Sequence, residues 1–326
     1  MRPKPPHVSL IILNWNGIND TLSLLDNLRS VRYDNFSVLV VDNGSTDNSA
    51  SQLRHYIDKN RPDYQLSFLY LTTNTGFADG NNKGIVQAAK DQPDYYLLLN
   101  NDTLVDENFL TELVSVAEAD LNIAAVGPTI FYASSDGQKQ DKVWFAGGWF
   151  NFASGGAHHH RPPLEQLPDQ SEQTAFLTGC CLLIRRTALE AIKLLFDPAF
   201  FAYCEDADLS LRLTKAGYQL RYAPKARIWH KLATSSGGPK SANFWYYNVR
   251  NNFLMLRRYG RWDERLLFSF YFLFHKPVLV SIVGAIIRPR ADKWPRLVAI
   301  YAGTRDAFTG HFGKRQNNIT TTKERG

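Results

Sequence analysis

The chain has 326 residues, 44% of them hydrophobic and 13% aromatic, and a formal net charge of +6. This apolar content is enough for a large packed core, which excludes an intrinsically disordered protein. Residues 250–326 hold fifteen Lys and Arg against five Asp and Glu, a local excess of +10, so the basic character belongs to the C-terminal region. A basic region favours an anionic partner, and its apolar neighbours favour a membrane surface over nucleic acid.

The N-terminus and the cysteines both bear on location. Residues 1–6 lead directly into the short apolar run 8–13 without the longer apolar segment of a secretory signal, so we expect no export. The chain has three cysteines, Cys180, Cys181 and Cys204, in no framework spacing, which is typical of free thiols in a reducing compartment. The sequence therefore predicts a site of action at the cytoplasmic face of the cell membrane.

Short apolar runs alternate with helix-length segments through the first 120 residues. The runs are 8–13, 36–41, 65–71 and 95–99, and the helical segments are 17–30, 47–59, 77–90 and 107–119. This alternation predicts an α/β fold with a mostly parallel, Rossmann-like central sheet flanked by helices. The later predicted elements are strands at 123–132, 176–184 and 227–230, a short helix at 206–215, and a long loop at 133–173 with a hairpin near 144–152. We expect that loop near an acceptor site, since long loops in compact domains are often functional.

The C-terminal region is predicted to be helical and to associate with a membrane. The apolar stretch 266–287 is about long enough to span a bilayer, but Lys276 and Pro277 lie at its middle and arginines flank it on both sides. Interfacial or re-entrant helices are favoured, with a true span and ordinary buried helices as the alternatives. The expected division is a domain at 1–240 with halves at about 1–130 and 131–240, a helical basic and apolar region at 241–315, and a flexible tail at 316–326.

Three acidic clusters carry the chemistry. Asp42 follows the second apolar run, Asp102 follows the fourth, and Glu205 and Asp206 begin the short helix. Because open α/β sheets bind ligands at the carboxyl ends of their parallel strands, the first two clusters are expected at one site.

Each cluster has a plain structural alternative. Asp42 and the small polar turn 43–46 suit the hydroxyls or base of a nucleotide, but could form a helix-capping turn. Asp102 and its asparagine neighbours suit Mg²⁺ or Mn²⁺ on a diphosphate, or an Asx-turn. At Glu205 and Asp206 the helix dipole should keep a carboxylate ionised and able to take a proton; the alternative is an ordinary acidic first turn.

Five segments in order resemble the family 2 glycosyltransferases, and most closely the rhamnosyltransferase-like branch. They are SLIILNWN at 9–16, VDNGSTD at 41–47, NTGFADGNNKG at 74–84, LNNDT at 99–103 and FAYCEDADL at 201–209. The resemblance covers residues 8 to about 259. It implies a GT-A fold, a nucleotide-sugar donor, a divalent cation and inversion at the anomeric carbon.

The resemblance also implies roles for single residues. On the donor side, Asp42 would contact the nucleoside, and the other residues placed there are Asn14, Asn16, Asn74, Gly76, Phe77, Asn81 and Asn101. Asp102 matches the last acidic position of the metal motif, although Asn100 and Asn101 stand where many relatives carry another carboxylate. His230 lies where related enzymes place a histidine near the metal, with a structural histidine as the alternative.

Asp206 matches the catalytic base of the family, with Glu205 beside it. The acceptor side is expected to include Thr178, Gly179 and Asp208. Arg250 could hold a diphosphate, and a structural ion pair is the alternative.

Together these features predict an inverting glycosyltransferase that moves a hexose, such as rhamnose, from a nucleoside-diphosphate sugar to a hydroxyl of a lipid-linked or cell-surface glycan. A catalytically silent membrane-bound subunit that binds nucleotide sugars or serves as a scaffold is the first alternative, because fold alone does not prove activity. A sugar nucleotidyltransferase is a remote alternative, since no glycine- and arginine-rich loop for a triphosphate lies near the N-terminus. A dehydrogenase would need a glycine-rich loop after the first strand, and 13–17 supplies one glycine.

Overall fold

The computed structural model describes residues 4–59, 62–231, 241–274 and 293–316. The N-terminal half follows the predicted alternation, with elements β1 Val8–Asn14, α1 Ile18–Asn27, β2 Phe36–Asn43, α2 Ser49–Lys59, β3 Gln65–Leu71, α3 Gly76–Ala88 and β4 Tyr95–Asn100. Strands β1 to β4 are parallel, in the spatial order β4-β1-β2-β3. The almost continuous apolar runs of β1, β2 and β4 are buried because helices cover the sheet, as parallel sheets require, whereas β3 at the edge is partly exposed.

The second half of the fold continues the same sheet with strands of mixed direction and adds a separate two-stranded sheet. Its elements are β5 Thr103–Val105, α4 Phe109–Glu118, β6 Ile123–Ala133, β7 Lys139–Phe145, β8 Gly148–Asn151, β9 Gly156–His159, β10 Glu172–Gln173, β11 Cys181–Arg185, α5 Arg186–Ile192, α6 Glu205–Lys215 and β12 Gln219–His230. The full strand order is β10-β12-β6-β11-β4-β1-β2-β3, with β5 beside β12 and β7 beside β6.

The expectation of a mostly parallel sheet is therefore wrong for this half. Strand β11 runs antiparallel to both β4 and β6, and β5 and β10 run antiparallel to β12. A curled mixed sheet results, because β11 inserts between two strands that run the other way. The predicted loop 133–173 also contains four short strands, and its hairpin is β8 with β9, a few residues beyond the predicted position.

The carboxyl ends of the parallel strands meet at one edge of the sheet. Asn14 at the end of β1 is in register with Asp42 at the end of β2, and Leu13 is in register with Asn100 of β4. This alignment confirms that the first two acidic clusters lie at the same edge.

In the described residues, three helices follow the sheet, α7 Ala242–Tyr259, α8 Trp262–Phe274 and α9 Lys293–Thr309. Ser241 caps α7, its hydroxyl accepting a hydrogen bond from the Phe244 amide. The ring of Phe253 on α7 packs against Phe268 of α8 and Phe308 of α9. In the part of the chain that the structure describes, no helix has both the length and the apolar character to cross a bilayer. Residues 275–292 of the predicted membrane stretch, and 317–326 of the predicted tail, lie outside the described residues.

Candidate active site

Asp42 lies buried at the end of β2 and is fixed by side-chain hydrogen bonds. Its Oδ1 accepts from Asn14 Nδ2 at 2.8 Å and from the Ser45 hydroxyl at 2.6 Å. The Thr21 hydroxyl donates to Asn14 Oδ1, which sets the orientation of that amide. Asn14 was predicted to line the nucleotide pocket, but it is fully buried. Its side chain instead holds Asp42 in place.

The turn after Asp42 closes against the end of β1. Asn16 has a left-handed φ of 51°, its amide donates to the Ser45 hydroxyl at 2.9 Å, and its Oδ1 accepts from the Thr46 amide at 2.7 Å. Gly44 has a φ of +70°, and a Cβ there would come 2.4 Å from the Thr73 carbonyl carbon, so only glycine fits. The two loops form one rigid floor beside the Asp42 carboxylate.

The sheet edge at the carboxyl ends of β1, β2 and β4 is called the donor edge here. The 74–81 segment lies between this edge and the residues around Asp206. Asn74 Oδ1 accepts from the Gly76 amide at 2.8 Å, and a Cβ at Gly76 would come 2.5 Å from the Phe201 carbonyl oxygen. The Phe77 ring lies beside Gly179, where a Cβ would come 3.2 Å from the ring and 3.6 Å from the Asp206 Cβ. Phe77, Gly179 and Asp206 are therefore in direct proximity.

Two other donor-side candidates act within the scaffold. The Asn81 side chain is buried and donates to the Phe77 carbonyl one helical turn earlier. Asn101 Nδ2 donates to the Gly17 carbonyl at 3.2 Å and to the Thr21 hydroxyl at 3.0 Å, which ties the end of β4 to the start of α1. Both stabilise the loops of the donor edge.

Asp102 and His230 come together although 128 positions separate them in sequence. The pairing of β12 with β5 places His230 opposite Thr103, and His230 Nε2 lies 3.1 Å from Asp102 Oδ1. Desolvation lowers the pKa of His230, but the neighbouring Cys180 and Asp102 raise it by more, so the pKa lies well above its usual range. Nothing in the described part of the chain hydrogen-bonds to the buried Nδ1 of His230.

This pair offers two candidate ligands for a divalent cation. Their separation of 3.1 Å is that of an ordinary hydrogen bond between the two side chains. Within the described ranges, no group of three or more His, Cys, Asp or Glu side chains is arranged to hold a metal. A cation held by Asp102 and His230 would need the remaining ligands from a bound diphosphate or water.

Asp206 stands at the start of α6 and accepts two hydrogen bonds from backbone amides. Its Oδ2 accepts from the Gly179 amide at 2.9 Å and its Oδ1 from the Ala207 amide at 2.8 Å, and the nearby Thr178 hydroxyl lowers the pKa of the carboxyl group. Burial nevertheless raises the pKa of Asp206, because desolvation outweighs these bonds.

Glu205 is also buried, and among the described residues nothing hydrogen-bonds to its Oε2. Burial, and then the charge of Asp206, raise the pKa of Glu205 well above its usual range. Burial thus shifts the pKa of both carboxyl groups in the direction opposite to the one expected from the helix dipole. A raised pKa makes Asp206 a stronger base near neutral pH.

The turn 178–180 joins the two acidic sites. Gly179 donates to Asp206, the Cys180 carbonyl accepts from the Asn100 amide at 2.8 Å, and the Cys180 thiol interacts with His230. One short segment therefore contacts the base candidate, the end of β4 and the metal candidate.

A family model described as "Glycosyl transferase family 2" matches residues 9–193, which is more than half of the chain. This chain belongs to that glycosyltransferase family. A Mycobacterium tuberculosis N-acetylglucosaminyl-diphospho-decaprenol L-rhamnosyltransferase is 27% identical over 247 residues, 69% of this chain and 76% of the relative. This similarity supports the rhamnosyltransferase-like resemblance.

Solved structures show that this family 2 glycosyltransferase has a GT-A-like α/β fold. The Pyrobaculum calidifontis mannosyltransferase PcManGT, in complex with GDP-Man and Mn²⁺, aligns with a TM-score of 0.56 at 15% identity over 94% of this chain and 88% of that one. GalNAc-T7 with UDP, GalNAc and Mn²⁺ aligns with a TM-score of 0.61 at 17% identity over 97% of this chain and 60% of that one.

Two residues of this glycosyltransferase have roles other than those expected. Asp208 is fully buried, accepts from Arg258 at 2.9 Å and Tyr259 at 2.7 Å through Oδ1, and pairs with Arg212 at 2.7 Å through Oδ2. It faces these partners, not an acceptor, because the helix turns its side chain away from Asp206. Asp208 is a structural ion-pair residue.

Arg250 is also fully buried. Its guanidinium donates to the carbonyls of Ala199, Phe200 and Gly313 and to Asn251 Oδ1. The Arg250 guanidinium therefore has no exposed surface to bind a diphosphate. Its partners are carbonyl and amide oxygens, in place of the carboxylate expected for a structural ion pair.

The residues that sequence reasoning missed are Ser45, Thr21 and Asn251. Ser45 binds Asp42, and its signal was its place in the small polar turn after the strand. Thr21 orients Asn14 from one turn inside α1. Asn251 follows Arg250, which was a candidate site residue, but the sequence of 246–252 does not indicate which loop Asn251 contacts.

Proposed function

We propose that this glycosyltransferase transfers a sugar from a nucleoside-diphosphate sugar to a hydroxyl group with inversion at the anomeric carbon. The observation that carries the proposal is the turn 178–180, which contacts both the base candidate Asp206 and the metal candidate His230. An inverting displacement needs a base on one face of the sugar and stabilisation of the leaving diphosphate on the other. The Gly179 amide of this turn donates to Asp206, and Cys180 of the same turn lies beside His230.

The donor would bind along the edge formed by β1, β2 and β4. Asp42, held by Asn14 and Ser45, offers a fixed acceptor for the hydroxyls or base of the nucleoside. Asp102 and His230 would hold the divalent cation, which when bound neutralises charge on the departing diphosphate. The relatives with GDP-Man or UDP and Mn²⁺ support this part of the proposal.

Asp206 then acts as the general base. Its carboxylate takes the proton of the acceptor hydroxyl as that oxygen bonds to the anomeric carbon, and the bond to the diphosphate breaks. The Gly179 amide and Thr178 hydroxyl keep the carboxylate aimed at this position. Since the attack comes from the face opposite the leaving group, no protein nucleophile is required and the configuration inverts.

The acceptor in this proposal is a lipid-linked or cell-surface glycan, met at the cytoplasmic face of the membrane. The relative from Mycobacterium tuberculosis, a rhamnosyltransferase named for a decaprenol-linked acceptor, supports this class and favours rhamnose as the sugar. Helices α8 and α9 supply exposed apolar side chains, namely Trp262, Leu266, Leu267, Trp294, Tyr301 and Phe308. The last three recur every seven residues, so they share one side of α9.

Calorimetric binding of UDP, dTDP and GDP, with and without Mn²⁺, tests the donor site. The proposal expects one nucleotide to bind in a Mn²⁺-dependent way, and Asp102→Asn to weaken that binding by at least about tenfold. Asp120→Asn, an identical change at a partly exposed position just after α4, should have no effect. Absence of binding to all three nucleotides would favour a silent subunit and contradict the proposal.

Co-sedimentation with anionic lipid vesicles tests the membrane surface. Replacing Leu266 and Leu267 by serine should lower the bound fraction, because both side chains are exposed on α8. Leu121→Ser, at another exposed leucine, is the control. Equal loss in the control, or no loss in the double variant, would remove α8 from the proposed surface.

A further inference from the structure

The loop 199–204, here called the base loop, leads directly into Glu205 and Asp206 and has an unusual backbone. Phe201, Tyr203 and Cys204 have φ values of 62°, 69° and 69°. Side chains of these types rarely adopt left-handed conformations, and such strain persists only where the surroundings impose it. Three cases within four residues indicate that other parts of the molecule hold the base loop in place.

Asn251 of α7 makes several of the hydrogen bonds that fix the base loop. Its buried Nδ2 donates to the carbonyls of Phe200 at 2.9 Å, Ala202 at 2.7 Å and Tyr203 at 2.7 Å. A single amide therefore contacts three of the four carbonyls that precede Cys204. Because an unpaired buried carbonyl is costly, removing this amide would free the base loop.

Arg250 fixes the same loop from one side and orients Asn251. Its guanidinium donates to the carbonyls of Ala199 at 3.1 Å and Phe200 at 2.9 Å, and to Asn251 Oδ1. The same Arg250 group donates to the Gly313 carbonyl at 2.6 Å, while the Gly313 amide donates to Ala199 at 2.8 Å. The segment after α9 thus closes over the base loop.

The donor side of the active site contacts the base loop as well. The Phe201 carbonyl accepts from the Ala78 amide at 3.1 Å, in the first turn of α3. The Lys314 ammonium donates to the Asn74 carbonyl at 2.9 Å, just before α3. The base loop is therefore held between the donor edge and α7, with Asp206 at its end.

We propose that Arg250 and Asn251 are positioning residues for the transfer reaction, acting through the base loop to place Asp206 between the donor edge and the acceptor. This inference rests on the proposed function for its catalytic part. The conformational part, that Asn251 holds the base loop, stands on the hydrogen bonds alone.

The experiment compares Asn251→Ala with Asn252→Ala in the full chain. Asn252 is the next residue on the same helix, and among the described residues its side chain donates to Asn248 of α7 alone, so it is a matched control. With both variants folded by thermal melting, nucleotide binding is measured by calorimetry and kcat by transfer assay. We expect Asn251→Ala to keep wild-type nucleotide affinity and to lose about a hundredfold in kcat, since small misplacements of a catalytic group have effects of that size.

A second readout follows the base loop without any substrate. Cys204 is half-buried, whereas Cys180 and Cys181 are buried, so a thiol reagent under native conditions reports mainly on Cys204. Release of the base loop should speed this labelling by at least about tenfold in Asn251→Ala, through local opening. Asn252→Ala should label at the wild-type rate.

The outcomes separate the two proposals. Wild-type labelling rates in folded Asn251→Ala, or faster labelling with unchanged kcat, would overturn the positioning role. Equal losses of nucleotide affinity and kcat would indicate a general structural role and overturn it too. If Asn251→Ala does not fold, Asn251→Asp keeps the volume and the Arg250 contact but removes the donor, and the same criteria apply. Failure of the wild type to transfer any sugar would contradict the proposed function, while the labelling comparison still tests the hold on the base loop.

Discussion

The donor edge and the start of α6 each carry a buried aspartate, but the two carboxylates have different hydrogen-bond donors. At the donor edge, Asp42 is surrounded by side-chain donors from Asn14 and Ser45. At α6, Asp206 accepts mainly from backbone amides, and burial raises its pKa. The first environment suits a fixed hydrogen-bond acceptor, whereas the second suits a group that exchanges a proton. In the proposed function, the same residue type would thus serve recognition in one region and chemistry in the other.

The comparison predicts its largest effect at Asp206. Asp206→Asn keeps the size of the side chain and removes its basicity, so transfer should fall by about 10² to 10⁴-fold, the usual contribution of a general base. Nucleotide binding at the donor edge should be unchanged by calorimetry. Near-normal transfer in a folded Asp206→Asn variant would mean that another group takes the proton.

Asp208 lies two residues after Asp206 on α6, but its carboxylate is held in buried ion pairs. Asp208→Asn breaks buried pairs with Arg212 and Arg258, so the free energy of unfolding should fall by about 3–5 kcal/mol. Urea unfolding measures the loss, and the folded fraction should keep its transfer rate. A stable variant with a selective rise in acceptor KM would instead restore the acceptor role expected from sequence.

At the donor edge the expected effect is on affinity. Asn14→Ala removes a hydrogen bond to the Asp42 carboxylate, which is worth about 1.5–3 kcal/mol, so nucleotide affinity should weaken by roughly ten- to a hundredfold. Calorimetry on the variant checks this. Asn82→Ala is a matched control, because Asn82 bridges α3 to Phe196 without touching Asp42. Similar weakening in both variants would argue against a specific role for Asn14.

The smallest predicted effect concerns stability and pH at Glu205. Its pKa is raised in the folded state, so the folded protein holds this proton more tightly, and the associated stability is lost as the pH rises from the unfolded towards the folded pKa. Glu205→Gln cannot ionise and avoids that loss. Urea unfolding at pH 5 and at pH 7.5 should show the variant gaining stability relative to the wild type at the higher pH. An equal difference at both pH values would show that Glu205 does not titrate in this range.

The sequence predicted the N-terminal half of the fold well. The apolar runs that became β1 to β4 alternate with helical segments, and this local pattern is sufficient to specify parallel strands whose ends meet at one edge. The direction of β11 was not readable in the same way. Whether a strand runs parallel or antiparallel depends on which distant strand it joins, and a short apolar run carries no signal for that choice.

What the sequence determined by itself was the set of polar residues at the strand ends and helix starts, because those positions follow from local periodicity and from motifs such as 41–47 and 99–103. Only the tertiary structure decided their roles. In the tertiary structure Asp206 and Asp208 have different partners, and Asp102 lies beside His230. Arg250, predicted to hold a diphosphate, hydrogen-bonds to the base loop instead. Burial and long-range partners set these differences, since desolvation and hydrogen bonding depend on residues that are distant in the chain.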